Sequence, residues 1–287
     1  MGECKGTAWN VIDAAGPLSQ LAGVIAGFVF AGVIVLLSQP RPSTMGSQQT
    51  GSARLRALIP FFATFVAMGL NAYVFGLLAG EEIGDSCRRV WTAAAVASGM
   101  LAIGTVAAVC GIVLLVRAYL GREQLSVADN ARTLDYLERT LTVTIRLLAV
   151  VAPGLLIQRV YEFLRVWYDG NLHGLGWMWI FVIAVGCVGI VAVTVNPRLV
   201  SRLVDGPADR QVDIFDRALF FAGVCTVLYS VAGTALVGFF LGVVPAEWNS
   251  TPSFVPWTVA TLVVTLPTVA IIGYLYAIRG IVRLSDG

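Results

Sequence analysis

The sequence predicts an all-α protein, a polytopic membrane bundle of seven transmembrane helices with the N-terminus outside and the C-terminus cytoplasmic. Three observations predict it. Only 13% of the 287 residues are charged, against roughly 25% in a soluble domain, and the mean hydropathy is +0.82. The apolar residues are gathered into runs of about 20 or more, the length a helix needs to cross hydrocarbon. The arginines collect in alternate gaps between those runs.

Seven runs qualify, at about 18–38, 58–79, 91–116, 141–167, 175–195, 218–244 and 257–278, within a single integral membrane domain over 1–287. The first is too long for the apolar part of a signal peptide and is followed by SQPRPS, so it reads as a retained span. Its Gly23, Gly27 and Ala31, at four-residue steps, favour close helix contact within the bundle or with another copy. Between the first two spans, MGSQQTGS (45–52) reads as a flexible polar loop. Asn71 in the second span is a polar group that needs a partner in hydrocarbon. The gap at 117–140 reads as a helical extension on the cytoplasmic side, with leucines at 134, 137 and 141.

Orientation follows from basic residues in short loops. Fourteen lie in or beside the gaps after spans one, three, five and seven, and only five on the other side, among them Arg88, Arg89, Arg159 and Arg165. The richer side is assigned to the cytoplasm. All seven tryptophans then fall at outer span ends or outer loops, where an apolar ring with a polar N–H suits a membrane interface. Lysine occurs once, at Lys5, and this arginine bias reads as a bacterial composition. The inner (plasma) membrane is the expected location.

The stretch GEEIGDSCRR, between spans two and three, looks at first like part of an active site. Its spacing departs from the Glu-Glu-x-x-x-Arg motif of CAAX-type intramembrane proteases: Ser86 stands where arginine belongs, and the chain has one histidine, His173. A retinal-binding seven-span protein would need a lysine in the last span, and there is none. The topology makes the stretch an outer turn. Cys4 and Cys87 then share the oxidising side and are the candidate disulfide. Cys110, Cys187 and Cys225 fall inside spans and read as small packing residues. No phosphate-binding glycine motif and no zinc-ligand spacing occurs. Hence no metal, no other cofactor and no catalytic residue is expected. The acid pair Asp213 and Asp216 reads as surface charge.

Span four is the most informative, with Arg146, Arg159, Glu162 and Arg165 as an intramembrane charge cluster. Arg146 and Arg159 are about 20 Å apart along a helix, too close for both to sit at the boundaries of a hydrocarbon layer about 30 Å thick. Glu162 lies one turn after Arg159, so two readings stand together: a self-satisfied interfacial ladder, or a buried pair facing the bundle. Pro153-Gly154 predicts a kink. In span seven, Thr258, Thr261, Thr265 and Thr268 draw one stripe. With Asn71 they are the possible lining of a path between spans four and seven.

The functional reading is a non-enzymatic partner, scaffold or sensor subunit, because ionisable groups are scarce inside the spans. The alternative is a channel or transporter. An intramembrane enzyme ranks last, because no nucleophile–base constellation is present. The expected partners are the lipid bilayer and another membrane protein or a second copy of the chain. The small net charge of +2 gives no basic field for nucleic acid.

Overall fold

The computed structural model describes residues 11–38, 48–81, 87–123, 128–168, 208–243 and 254–285. They form six helices: α1 Val11–Ser38, α2 Gln48–Ala79, α3 Cys87–Glu123, α4 Ala128–Trp167, α5 Ala208–Val243 and α6 Phe254–Ser285. No strand occurs among the described residues. Five of these helices, all but α4, are long and apolar enough to cross a membrane. The predicted span at 175–195 lies outside the described residues.

Several boundaries move. Gln48 to Ser52, expected in a polar loop, form the first turns of α2. Cys87, Arg88 and Arg89 are the first turn of α3 rather than part of a turn between helices. Helix α4 runs without a break through Pro153. A proline removes only one backbone hydrogen bond, and packed neighbours can absorb that loss in a membrane bundle. Helix α2 ends in tight bonds, Gly80 N to Leu77 O at 3.1 Å and Glu81 N to Leu78 O at 3.2 Å, the tightened last turn that satisfies end carbonyls.

Helix α3 is central and packs against each of the other five. Its sequence explains this. Val90 to Ala97 is apolar almost all round, with four alanines and Trp91, and every one of these residues is buried. A helix without a polar face belongs in an interior. Helix α1 is the opposite case. It lies on α2 and barely touches α3, and leaves Phe28 and Leu37 exposed. Only 22% of its most apolar window is buried, against 61% for α3, so bilayer contact falls on α1.

Helices α1 to α4 alternate in direction, α5 runs the same way as α4, and α6 runs back. The two larger of three clusters of buried side chains divide the interior by depth. One gathers Val11, Phe75, Trp91, Phe163, Trp167 and Val259 near Cys87. The other gathers Leu36, Phe61, Leu114, Leu219 and Tyr274 near the opposite end. Helix α4 therefore ends at the Cys87 end, whereas α5 begins at the far end and returns.

Close approach rests on glycines. A Cβ on Gly111 would stand 2.8 Å from the Phe61 ring, one on Gly223 2.7 Å from Ile59, and one on Gly233 2.7 Å from Met100. Without a hydrophobic driving force between helices in lipid, such packing and a few interhelical hydrogen bonds hold them. Two examples are Ser19 Oγ donating to Ala72 O at 2.8 Å and Thr64 Oγ1 to Gly104 O at 3.3 Å.

Candidate functional site

The GEEIGDSCRR stretch becomes a fastener at the Cys87 end. Arg89, in the first turn of α3, donates to Glu81 just past the end of α2, at 2.6 Å. The same guanidinium reaches Leu241 O near the end of α5, at 3.4 Å. It so meets a carbonyl that a helix end leaves unpaired, and puts a cation where the helix dipole is negative. Arg88 lies over the Trp167 ring, 5.9 Å from its centroid, tying α3 to the end of α4. Tyr168 and Trp257, with ring centroids 6.3 Å apart, join α4 to α6. Cys87 is disulfide-bonded, whereas Cys110 and Cys225 are free. Cys4 and Cys187 lie outside the described residues, as do Glu82 and Asp85.

This arrangement changes the role of two tryptophans. Trp91 and Trp167 stand at the Cys87 end, but at 3% and 6% exposure they are core, not an interfacial belt. Trp257 is half-buried. Trp9, Trp177, Trp179 and Trp248 lie outside the described residues.

The charge cluster of α4 is spread along the helix. Arg159 donates to Glu162 at 3.0 Å, with side chains about one-third and one-quarter exposed. Arg165 is exposed. Arg146 belongs to α4, and its side chain lies outside the described ones. Arg159 lines a crevice of about 20 Å³ whose other walls come from α1, α2 and α3, including Leu18, Phe75, Trp91 and Ser98. That volume suits about one water molecule.

The threonine stripe lies on α6, which does not line this crevice. Thr258, Thr261 and Thr265 are exposed, and Thr265 returns its hydroxyl to Thr261 O at 2.7 Å. Thr268 is buried, and its Oγ1 has no hydrogen-bond partner. Asn71, on α2, is fully buried and neither side-chain atom is paired. Helix α2 does not contact α6, so the structure does not join Asn71 to the stripe.

Two constellations were not singled out from the sequence. The first is a hydroxyl ladder on α5. Thr226, Ser230 and Thr234 each donate to the carbonyl four residues back, at 2.8 Å. Thr226 also pairs with Tyr274 of α6 at 3.0 Å. The four-residue spacing of hydroxyls inside an apolar run was the available signal. The second is Arg56 with Asp216, an ion pair of 2.7 Å that ties α2 to α5 at the far end. Asp213 pairs with Arg217 at 2.6 Å. Asp216 is thus an interhelical fastener, and the surface-charge reading fits only exposed Asp213. Pairing across 160 positions leaves no local pattern to read.

Among the described residues no group of three metal-capable side chains comes together. Comparison with protein-family models, with curated proteins and with solved structures gives no match.

Proposed function

We propose that this chain is a subunit of a membrane assembly, working through contact with another membrane protein or a second copy rather than through chemistry. The observation that carries this reading is close packing at the helix crossings. Where α2, α3 and α5 meet, a Cβ on Gly111 or Gly223 would stand within 3 Å of the Phe61 ring or of Ile59, so the backbones approach as closely as glycine allows. The charged pairs Glu81–Arg89 and Arg56–Asp216 are spent as fasteners at the two ends. Such a bundle suits a rigid partner, with α1 its least covered helix. Native mass spectrometry from mild detergent or nanodiscs tests the reading. A complex or a defined oligomer is expected, and a strictly solitary monomer overturns it.

The full topology is part of this proposal: seven spans, N-terminus outside, in the inner (plasma) membrane of a bacterium. Support for the count comes from α4 ending and α5 beginning at opposite ends, which one passage of 175–195 would connect. Support for the orientation comes from the arginine asymmetry. A Cys4–Cys87 bridge belongs to the same proposal. Cys87 is bonded and Cys110 and Cys225 are free, which leaves Cys4 or Cys187, and the topology favours Cys4.

One observation favours the transport alternative: Arg159 of α4 lines a crevice with Ser98 of α3. Flux of ions and small solutes into liposomes, altered by Arg159→Ala, would support it. Equal flux in the variant would count against Arg159 as part of a path.

A further inference from the structure

Asn71 is the most anomalous side chain in the bundle. It is 0% exposed, and both its Nδ2 and its Oδ1 are without partners. Most buried polar groups are paired, and one left unpaired in an apolar medium costs several kcal/mol. It sits about 22 Å along α2 from Arg56 and about 15 Å from Glu81, well inside the hydrocarbon depth.

Two independent registers give the residues of α3 and α5 that lie at its depth. Helices α2 and α3 are antiparallel, with Thr64 and Met68 against Gly104 and Phe61 against Gly111. That register brings Asn71 level with residues 97–101. Helices α2 and α5 are parallel, with Arg56 on Asp216 and Ile59 on Gly223. That register brings Asn71 level with residues 231–235. The two windows meet each other directly. Met100 Cε presses on Gly233, and Thr234 Oγ1 lies 4.0 Å from Met100 Sδ.

We propose that Asn71, Thr234 and Met100 frame an internal water-binding site in the middle of the bundle, between α2, α3 and α5. The chemistry of the groups selects the occupant. An amide presents donors and an acceptor together, and the Thr234 hydroxyl, its proton given to Ser230 O, offers a lone pair. A water can accept from Nδ2 and donate to Oδ1 and to Thr234, the two to four partners that a buried water requires. An ion would use only one half of the amide. No charged side chain is among the buried residues described, so desolvation of an ion would go uncompensated. The site is independent of whether the chain is a partner subunit or a carrier.

Radiolytic footprinting of the purified protein in nanodiscs, read by mass spectrometry, tests the site. Hydroxyl radicals form from an ordered water and oxidise the methionine beside it. Met100 is fully buried, so its oxidation in the native protein, with Phe163 of the buried α4 face unlabelled, is the expected result. In Asn71→Leu, and in Thr234→Val, labelling of Met100 is lost. Met100 unlabelled in the native protein overturns the proposal even if the variants fail to fold. Labelling that persists in a folded Asn71→Leu protein also overturns it, since general opening of the bundle would give that pattern.

Discussion

Replacing Gly99 with alanine would force a methyl group into the space of a tyrosine. A Cβ at position 99 overlaps the Tyr229 hydroxyl and stands 2.8 Å from its Cζ and 3.0 Å from its Cε1. Tyr229 is buried and donates its hydroxyl to Val96 O at 3.2 Å. The ring must shift, and the hydrogen bond goes with it. Overpacking costs ~1–3 kcal/mol, and a buried hydroxyl without its partner another ~1–3 kcal/mol. The intrinsic helix preference of alanine over glycine returns at most ~1 kcal/mol. The net expectation is a loss of about 1–5 kcal/mol, at least a factor of about 5 in the folding equilibrium, with about 1.4 kcal/mol per tenfold. The measurement is reversible unfolding in mixed micelles. Gly27→Ala, with nothing within 4 Å of the new atom, is the control and should be neutral or slightly stabilising. Adding Tyr229→Phe to Gly99→Ala removes the overlapping oxygen and should recover part of the loss. If Gly99→Ala unfolds like Gly27→Ala, the α3–α5 contact described above is wrong.

Arg89→Ala should destabilise by about 1.5–3 kcal/mol, the range for hydrogen bonds to charged groups, and Glu81→Gln by less, since an amide can still accept from the guanidinium. Equal stability of Arg89→Ala and the native protein in the same micelles would show that the pair does not hold the cap. Alkylation under non-reducing conditions should leave Cys87 unmodified and, after unfolding, modify Cys110 and Cys225. Peptide mapping that joins Cys87 to Cys187 would disprove the Cys4 pairing. Reporter fusions after Arg122 and after Arg283 should be active only in the cytoplasm, and one after Asn249 only outside; the opposite pattern would reverse the assigned orientation.

Fold class was legible because it depends on composition and run length. Hydrocarbon admits helices of a certain length and little else, so Leu-, Val- and Ala-rich runs announce themselves one at a time. The junction between the second and third spans was partly legible too, since the charged stretch GEEIGDSCRR interrupts the apolar runs. The boundaries at Gln48 and Cys87 were not. Polar residues can extend a helix beyond the membrane, where hydropathy no longer distinguishes helix from loop.

What the sequence by itself determined is therefore an apolar helical membrane chain, with its charges sorted to the ends of helices. The tertiary structure decided which residues face one another. Arg159 and Glu162 were recognisable as a pair because they lie one turn apart. That Arg159 faces a crevice walled by α1, α2 and α3 follows from packing. Trp91 and Trp167 looked like interface anchors, and only the central place of α3 makes them core. The stretch around Cys87 kept its charged residues and changed its meaning, from a possible active site to a fastener whose partners, Leu241 and Trp167, lie far along the chain. Asn71 was visible as a polar residue in an apolar run. Its isolation is a tertiary fact, because only assembled neighbours can leave a buried amide without a partner.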